Sequence, residues 1–218
     1  MFFKRGNKSQ SSYEVLFDSI VPVRRFDIDP EVESERLLTL KYVATEIDRR
    51  DVVGNVAEAG VMCGYFARHL HNAFPDRNLH LFDTFTGFNK DELNVDRAQF
   101  LTNKHDYSMF NNASIEKVKA VLPDAYYHVG LFNDTKYDVS DEIFCFVSLD
   151  MDLYTPTLQG LEFFYPRLSD GGYIFLHDYN HPDDFYGVKS AVYKYEEMYG
   201  SLHLVPLPDY SGTVVIIK

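Results

Sequence analysis

IFCFVSLDMDLYTPTLQGLEFFYPRLSDGGYIFLHDY, residues 143–179, decides the fold of this chain. It opens on an unbroken apolar run, 143–149, of the length and composition of a strand buried on both faces. A helical stretch follows, with Pro156 tolerated in its first turn. A second apolar run then begins at a Gly-Gly pair, 171–179. Strand, helix and strand in that order are a βαβ unit, whose two strands lie parallel and about 4.8 Å apart. Both strands end on charged groups: Asp150 and Asp152 after the first, His177 and Asp178 after the second. Charges at the margin of a core are costly unless a cation or a hydrogen-bond partner meets them.

The same alternation runs outward in both directions. Asp29-Pro30 predicts a helix opening, with Leu37, Leu38, Leu40, Val43 and Ile47 at helical spacing behind it. Strands are predicted at 55–59, 79–83 and 126–130, and helices at 64–74 and 115–121, the latter capped by Ser114. Residues 84–112 carry no clear period; a short helix is predicted over 96–102. A helix at 188–199 precedes two final strands separated only by PDYSG, too short for a crossover, so they pair antiparallel. The prediction is α/β: a mostly parallel seven-stranded sheet with a C-terminal antiparallel hairpin. Residues 1–28 read as a tail and lead-in segment, and 29–218 as one domain.

The formal charge of −12 argues against nucleic acid or an anionic membrane as partner. No apolar run approaches the roughly 18 residues of a membrane span. The two cysteines, Cys63 and Cys145, offer no disulfide framework, and the basic, polar start lacks the apolar centre of a secretion signal. The expectation is a cytoplasmic protein acting on a small molecule, with self-association as a homo-oligomer left open.

Ligands of parallel α/β sheets sit outside the carboxyl ends of the strands. The first strand ends in Glu58-Ala59-Gly60, with Gly64 four residues on, a turn whose glycines let a backbone approach a ligand. It is not the phosphate-binding G-x-G-x-x-G. Asp83, at the end of the second strand, is placed to accept hydrogen bonds from a ribose. Together these favour an adenosine-containing ligand. Asp150, His177 and Asp178 lie one strand–helix–strand repeat apart and can converge; two carboxylates and an imidazole around one point suit a cation between them. Asp152 then stands beside it, able to take a proton. Other roles stay open: either Asp150 or Asp152 could cap the helix that starts near residue 154, and His177 could be a hydrogen-bonded structural histidine.

Five blocks, EAGVMCGY (58–65), DTFTGFN (83–89), GLFNDTKY (130–137), DMDLYTPT (150–157) and YPRLSDGGYIFLHDY (165–179), resemble in order and spacing those of the macrocin O-methyltransferase family. The resemblance implies a Rossmann-like class I methyltransferase fold. It also implies S-adenosylmethionine as methyl donor, and a divalent metal, usually Mg²⁺. It assigns Asp150 and Asp178 as metal ligands, with His177 where the family has an acidic residue, and Asp152 as general base. Glu58 and Gly60 line the donor site in this reading, Asp83 holds the ribose, Ser114 meets the adenine end and Phe132 packs alongside. The acceptor is a hydroxyl of a small molecule such as a sugar or vicinal diol. Tyr65 and Tyr137 also depart from the family pattern. A nicotinamide-dependent oxidoreductase would need a phosphate loop that is missing here; a catalytically inactive donor-binding relative is the other alternative.

Overall fold

The computed structural model describes residues 32–99, 110, 112–181 and 186–218. The tail, the Asp29-Pro30 opening and Phe100 lie outside these.

The first described helix, α1 (Ser34–Arg49), turns Leu37, Leu40, Val43, Ala44 and Ile47 into the core, while Leu38 faces solvent. β1 (Asn55–Ala59), α2 (Tyr65–Ala73) and β2 (Leu79–Asp83) follow as predicted. α3 (Lys90–Gln99) starts six residues earlier than the predicted helix. The reason is local: the Asn89 side chain accepts hydrogen bonds from the Asp91 and Glu92 amides, at 2.9 and 3.2 Å, and so caps the helix start. α4 (Ile115–Val121) begins where Ser114 Oγ accepts from the Lys117 amide.

β3 (Tyr126–Val129), a short α5 (Phe132–Thr135), β4 (Phe144–Leu149), α6 (Tyr154–Arg167) and β5 (Leu168–Leu176) build the middle of the chain. α7 (Tyr186–Tyr199), β6 (His203–Pro206) and β7 (Val214–Ile217) close it. The seven strands form one sheet in the order β3-β2-β1-β4-β5-β7-β6. Every pair from β3 to β5 is parallel, and β7 runs antiparallel between β5 and β6. The hairpin is thus not appended at the edge: its second strand docks directly on β5.

Side chains alternate across the sheet and fill a layer on each face. Val56 and Phe146 pack with α1, α2 and α4, whereas Ala57, Ala59, Val147 and Leu149 pack with α6 and α7. Phe164 of α6 is fully buried against Phe82, Phe132 and Phe144, and truncating it would cost about 3–5 kcal/mol. The strand order reverses between β1 and β4, so the crevice for a ligand opens outside their carboxyl ends.

Candidate active site

A cleft of ≈ 910 Å³ opens at that point. One wall is the turn after β1. Gly60 has φ +89, and a Cβ there would run into the Asp150 carbonyl; the two strand ends are therefore held together by a glycine no other residue can replace without movement. Asp150 N–H in turn donates to the Ala59 carbonyl at 2.8 Å. Asp83 organises the neighbouring turns. Its Oδ2 accepts from the Val61 and Met62 amides at 2.7 and 2.8 Å, and its Oδ1 from the Phe85 amide at 2.6 Å. Met62 and Phe85 both sit at positive φ, so these bonds also fix two strained residues.

Glu58, Gly60, Asp83 and Phe132 line the cleft. Gly64 and Ser114 do not. Gly64 starts α2 in a left-handed conformation against Val118, and the Ser114 hydroxyl is engaged as the α4 cap; the lining residues there are Asn112 and Ala113. Glu58 is buried, and burial raises its pKa well above the ordinary carboxylate value against the pull of Arg36.

At the other side of the cleft Asp150, His177 and Asp178 do converge: each offers one ligand atom within 4.8 Å of the others. His177 Nδ1 is 2.9 Å from Asp150 Oδ1 and 3.0 Å from Asp178 Oδ2. The backbone sets this up, because β4 and β5 pair in register to Leu149 and Leu176, and His177 N–H donates to the Leu149 carbonyl at 2.9 Å. Asp178 and Asp152 then leave their strands at φ 59, each turned back over the cleft by a conformation unusual for a non-glycine residue. Burial raises the pKa of Asp152 well above the ordinary carboxylate value, and the facing Asp178 and Asp150 carboxylates raise it further.

Two residues that sequence reasoning missed complete the cluster. Arg36, only 3% exposed, reaches from α1 to Asp150 Oδ2 at 3.1 and 3.2 Å and to Ser148 Oγ at 3.0 Å. Its guanidinium lies 3.9 Å over the Phe66 ring. Burial works against ionisation of Asp150, but His177 and Arg36 outweigh it and hold its carboxyl down to about 2. Glu33, at the foot of α1, stands 3.7 Å from His177 Nε2 and accepts a 2.5 Å hydrogen bond from Ser211 in the hairpin turn. Helical period was the available signal: Arg36 shares a face with Leu40, Val43 and Ile47.

The helix-capping roles considered for Asp150 and Asp152 fall to a third residue. The first amide of α6, that of Tyr154, donates to both carboxylate oxygens of Asp96 at 3.0 Å. Burial pushes Asp96 up to about 6, against this bond. Aromatic rings form the rest of the mouth: Phe88 stands edge-on to Phe110, and His181 to Tyr210. Tyr107 lies outside the described residues.

The cluster has the composition of a divalent cation site. Neither nitrogen of His177 is aligned for a hydrogen bond, although both are shielded from solvent. His177 Nδ1 stands at ion-pair distance from the two carboxylate oxygens, and against burial Asp150 and Asp178 raise its pKa well above the ordinary value; a divalent cation taking the place of that proton would be held by the same three groups.

Residues 31–203 match the model of the family described as Macrocin-O-methyltransferase (TylF). The chain is 30% identical over 196 residues to the 8-demethyl-8-(2,3-dimethoxy-alpha-L-rhamnosyl)-tetracenomycin-C 4'-O-methyltransferase of Streptomyces olivaceus, covering 83% of this chain and 72% of that protein. It is 29% identical over 180 residues to the mycinamicin III 3''-O-methyltransferase of Micromonospora griseorubida, covering 76% and 69%. Among solved structures, the O-methyltransferase NovP superposes with a TM-score of 0.69 at 23% identity over 84% of this chain and 79% of that one, a likeness of fold. Among the described residues no helix is long and apolar enough to cross a membrane. The sheet, the paired acidic strand ends and these matches agree: the chain belongs to the macrocin-O-methyltransferase family and is an O-methyltransferase.

Proposed function

We propose that this enzyme moves the methyl group of S-adenosylmethionine to a hydroxyl of a sugar, with help from a divalent cation. The observation that carries the reading is the placement of Asp152 beside Asp150, His177 and Asp178 in the same cleft as the Gly60 and Asp83 turns. A sugar acceptor is supported by the Streptomyces olivaceus relative, whose name gives a rhamnosyl-bearing substrate and 4'-O-methylation.

Each residue has a stated task. Asp83, already fixed by three amides, keeps lone pairs free for a ribose, and Glu58 with Phe132 bounds the donor. Asp150, His177 and Asp178 would hold the cation, whose charge when bound stabilises negative charge developing on an acceptor oxygen. Asp152 takes the hydroxyl proton; burial and the facing Asp178 and Asp150 carboxylates raise its affinity for one. The acceptor oxygen forms the new bond to the methyl carbon as the carbon–sulfur bond breaks, and that electron pair stays on sulfur. Holding the two reacting atoms in line supplies much of the rate.

The test is donor consumption with methyl α-L-rhamnopyranoside as acceptor. Asp152→Asn should cut kcat by about 10²–10⁴-fold while calorimetry shows S-adenosylmethionine still bound. A wild-type rate in Asp152→Asn removes the proton-transfer role, and no donor binding by the wild-type chain removes the reading.

A further inference from the structure

The cation cluster sets one imidazole between two carboxylates, and the structure shows what surrounds that ring. We infer that the cation site of this enzyme prefers a first-row transition ion such as Co²⁺ or Mn²⁺ to Mg²⁺, with His177 Nδ1 as the discriminating donor. The inference rests on the cation part of the proposed function and not on the identity of the acceptor.

Three observations converge. His177 Nδ1 points between Asp150 Oδ1 and Asp178 Oδ2 at 2.9 and 3.0 Å without hydrogen-bond alignment to either. On the far edge of the ring, Nε2 faces Glu33 Oε1 at 3.7 Å, and Glu33 is pinned by the Ser211 hydroxyl. At that distance Glu33 is no hydrogen-bond partner, but its negative charge beside the ring makes the inner nitrogen a better donor to a cation. Finally, Arg36 occupies Asp150 Oδ2, which leaves the cation one oxygen from that carboxylate and offsets its charge.

The chemistry then separates the ions. Mg²⁺ is hard, wants oxygen donors and is drawn chiefly by negative charge. Exchanging an acidic ligand for a neutral imidazole, with a guanidinium alongside, weakens that attraction for every divalent ion. Only ions with a real affinity for nitrogen recover the loss, and that affinity rises from Mn²⁺ through Co²⁺ to Ni²⁺.

Calorimetric titration of the metal-depleted full chain with CoCl₂, MnCl₂ and MgCl₂ tests this without reference to activity, and the visible absorption of bound Co²⁺ gives a second readout. Co²⁺ should bind at least about tenfold tighter than Mg²⁺, and His177→Asp should narrow that gap, because Mg²⁺ gains an oxygen donor and Co²⁺ loses its nitrogen. Mg²⁺ binding as tightly as Co²⁺ to the wild-type chain overturns the inference, and so does a His177→Ala protein that retains Co²⁺ affinity and its absorption bands. No binding of any of the three ions overturns it together with the cation part of the proposed function, while methyl transfer in chelator would leave the methyltransferase reading intact.

Discussion

Asp96 offers the sharpest test of how the site is held. It lies far from the cleft chemistry in sequence, yet its carboxylate takes the first amide of α6, two residues past Asp152, from a position only 1% exposed. α6 has no cap of its own, since Leu153 occupies that position. Gly187 makes room, because a Cβ there would meet the Asp96 carboxylate. Two effects oppose each other. The cap is worth about 1–2 kcal/mol. Against it, burial raises the Asp96 pKa from 3.8 to about 6, so the folded protein holds a proton there that the unfolded chain has released. Stability from this group is therefore fully present below pH 3.8 and is lost as pH rises through about 6. A shift of about two units sets a ceiling of ~3 kcal/mol, which access of water reduces to about 2.

Asn keeps the acceptor oxygen and loses the charge. Urea unfolding of wild type and Asp96→Asn over about pH 4 to 7.5 should show the variant gaining about 2 kcal/mol relative to wild type as pH rises. Asp96→Ala should lose the cap's 1–2 kcal/mol at the acid end of that range. It should also lower kcat more than Asp96→Asn does, because the turn carrying Asp150 and Asp152 loses its anchor. The difference between the two proteins isolates Asp96 from other titrating groups. Parallel stability curves for wild type and Asp96→Asn would refute the argument.

Gly60→Ala places a methyl group on the Asp150 carbonyl at φ +89; strain of about 1–3 kcal/mol or more should lower Tm by roughly 5 °C or more, and an unchanged Tm in a calorimetric scan would contradict the close approach. Tyr210→Ala removes a ring that is 67% exposed at the mouth beside His181; KM for a glycoside acceptor should rise about tenfold, near 1.4 kcal/mol, with donor Kd unchanged, and equal effects on both would remove it from the acceptor side. His80 lies buried against His128, and burial together with that neighbour pushes its pKa down from 6.5 to about 4. The unfolded chain takes up a proton between those values that the folded one refuses, so stability falls as pH drops through that window, by about 2 kcal/mol after allowing for water access. Urea unfolding of His80→Phe should show a flatter acid limb than wild type, and matching limbs would exclude His80 as its source.

The sheet was legible because its strands are short apolar runs closed by Asp, His or Gly, and because each crossover helix carries its own period. The convergence of the strand ends was legible for the same reason: register at Leu149 and Leu176 follows from the βαβ unit, which brings Asp150, His177 and Asp178 together. What pattern could not give was contact between elements without a repeat relation. Arg36 comes from a helix 114 residues before Asp150, Ser211 from a hairpin turn 178 residues after Glu33, and Asp96 from a segment whose polar composition hides its helical period. Ser114 and Gly64 carry a local signal, cap and turn, and the structure uses them for cap and turn.

Charge explains why so many acidic residues gather here at all. Among the described residues lining the cleft, Glu33, Glu58, Asp83, Glu92, Asp150, Asp152 and Asp178 face one guanidinium, that of Arg36. Such a wall, left to itself, would force protons onto its carboxyls, as the raised values of Glu58, Glu92 and Asp152 show, burial being the first cause of each. It is instead a field that favours any added positive charge in the cleft. The proposed reaction brings two such charges, a divalent cation at one end and a sulfonium at the other. The sulfonium becomes a neutral thioether on transfer, so the same field that favours the charged donor holds the spent one less strongly. Under the proposed reaction, charge placement in this cleft serves donor binding and product release together.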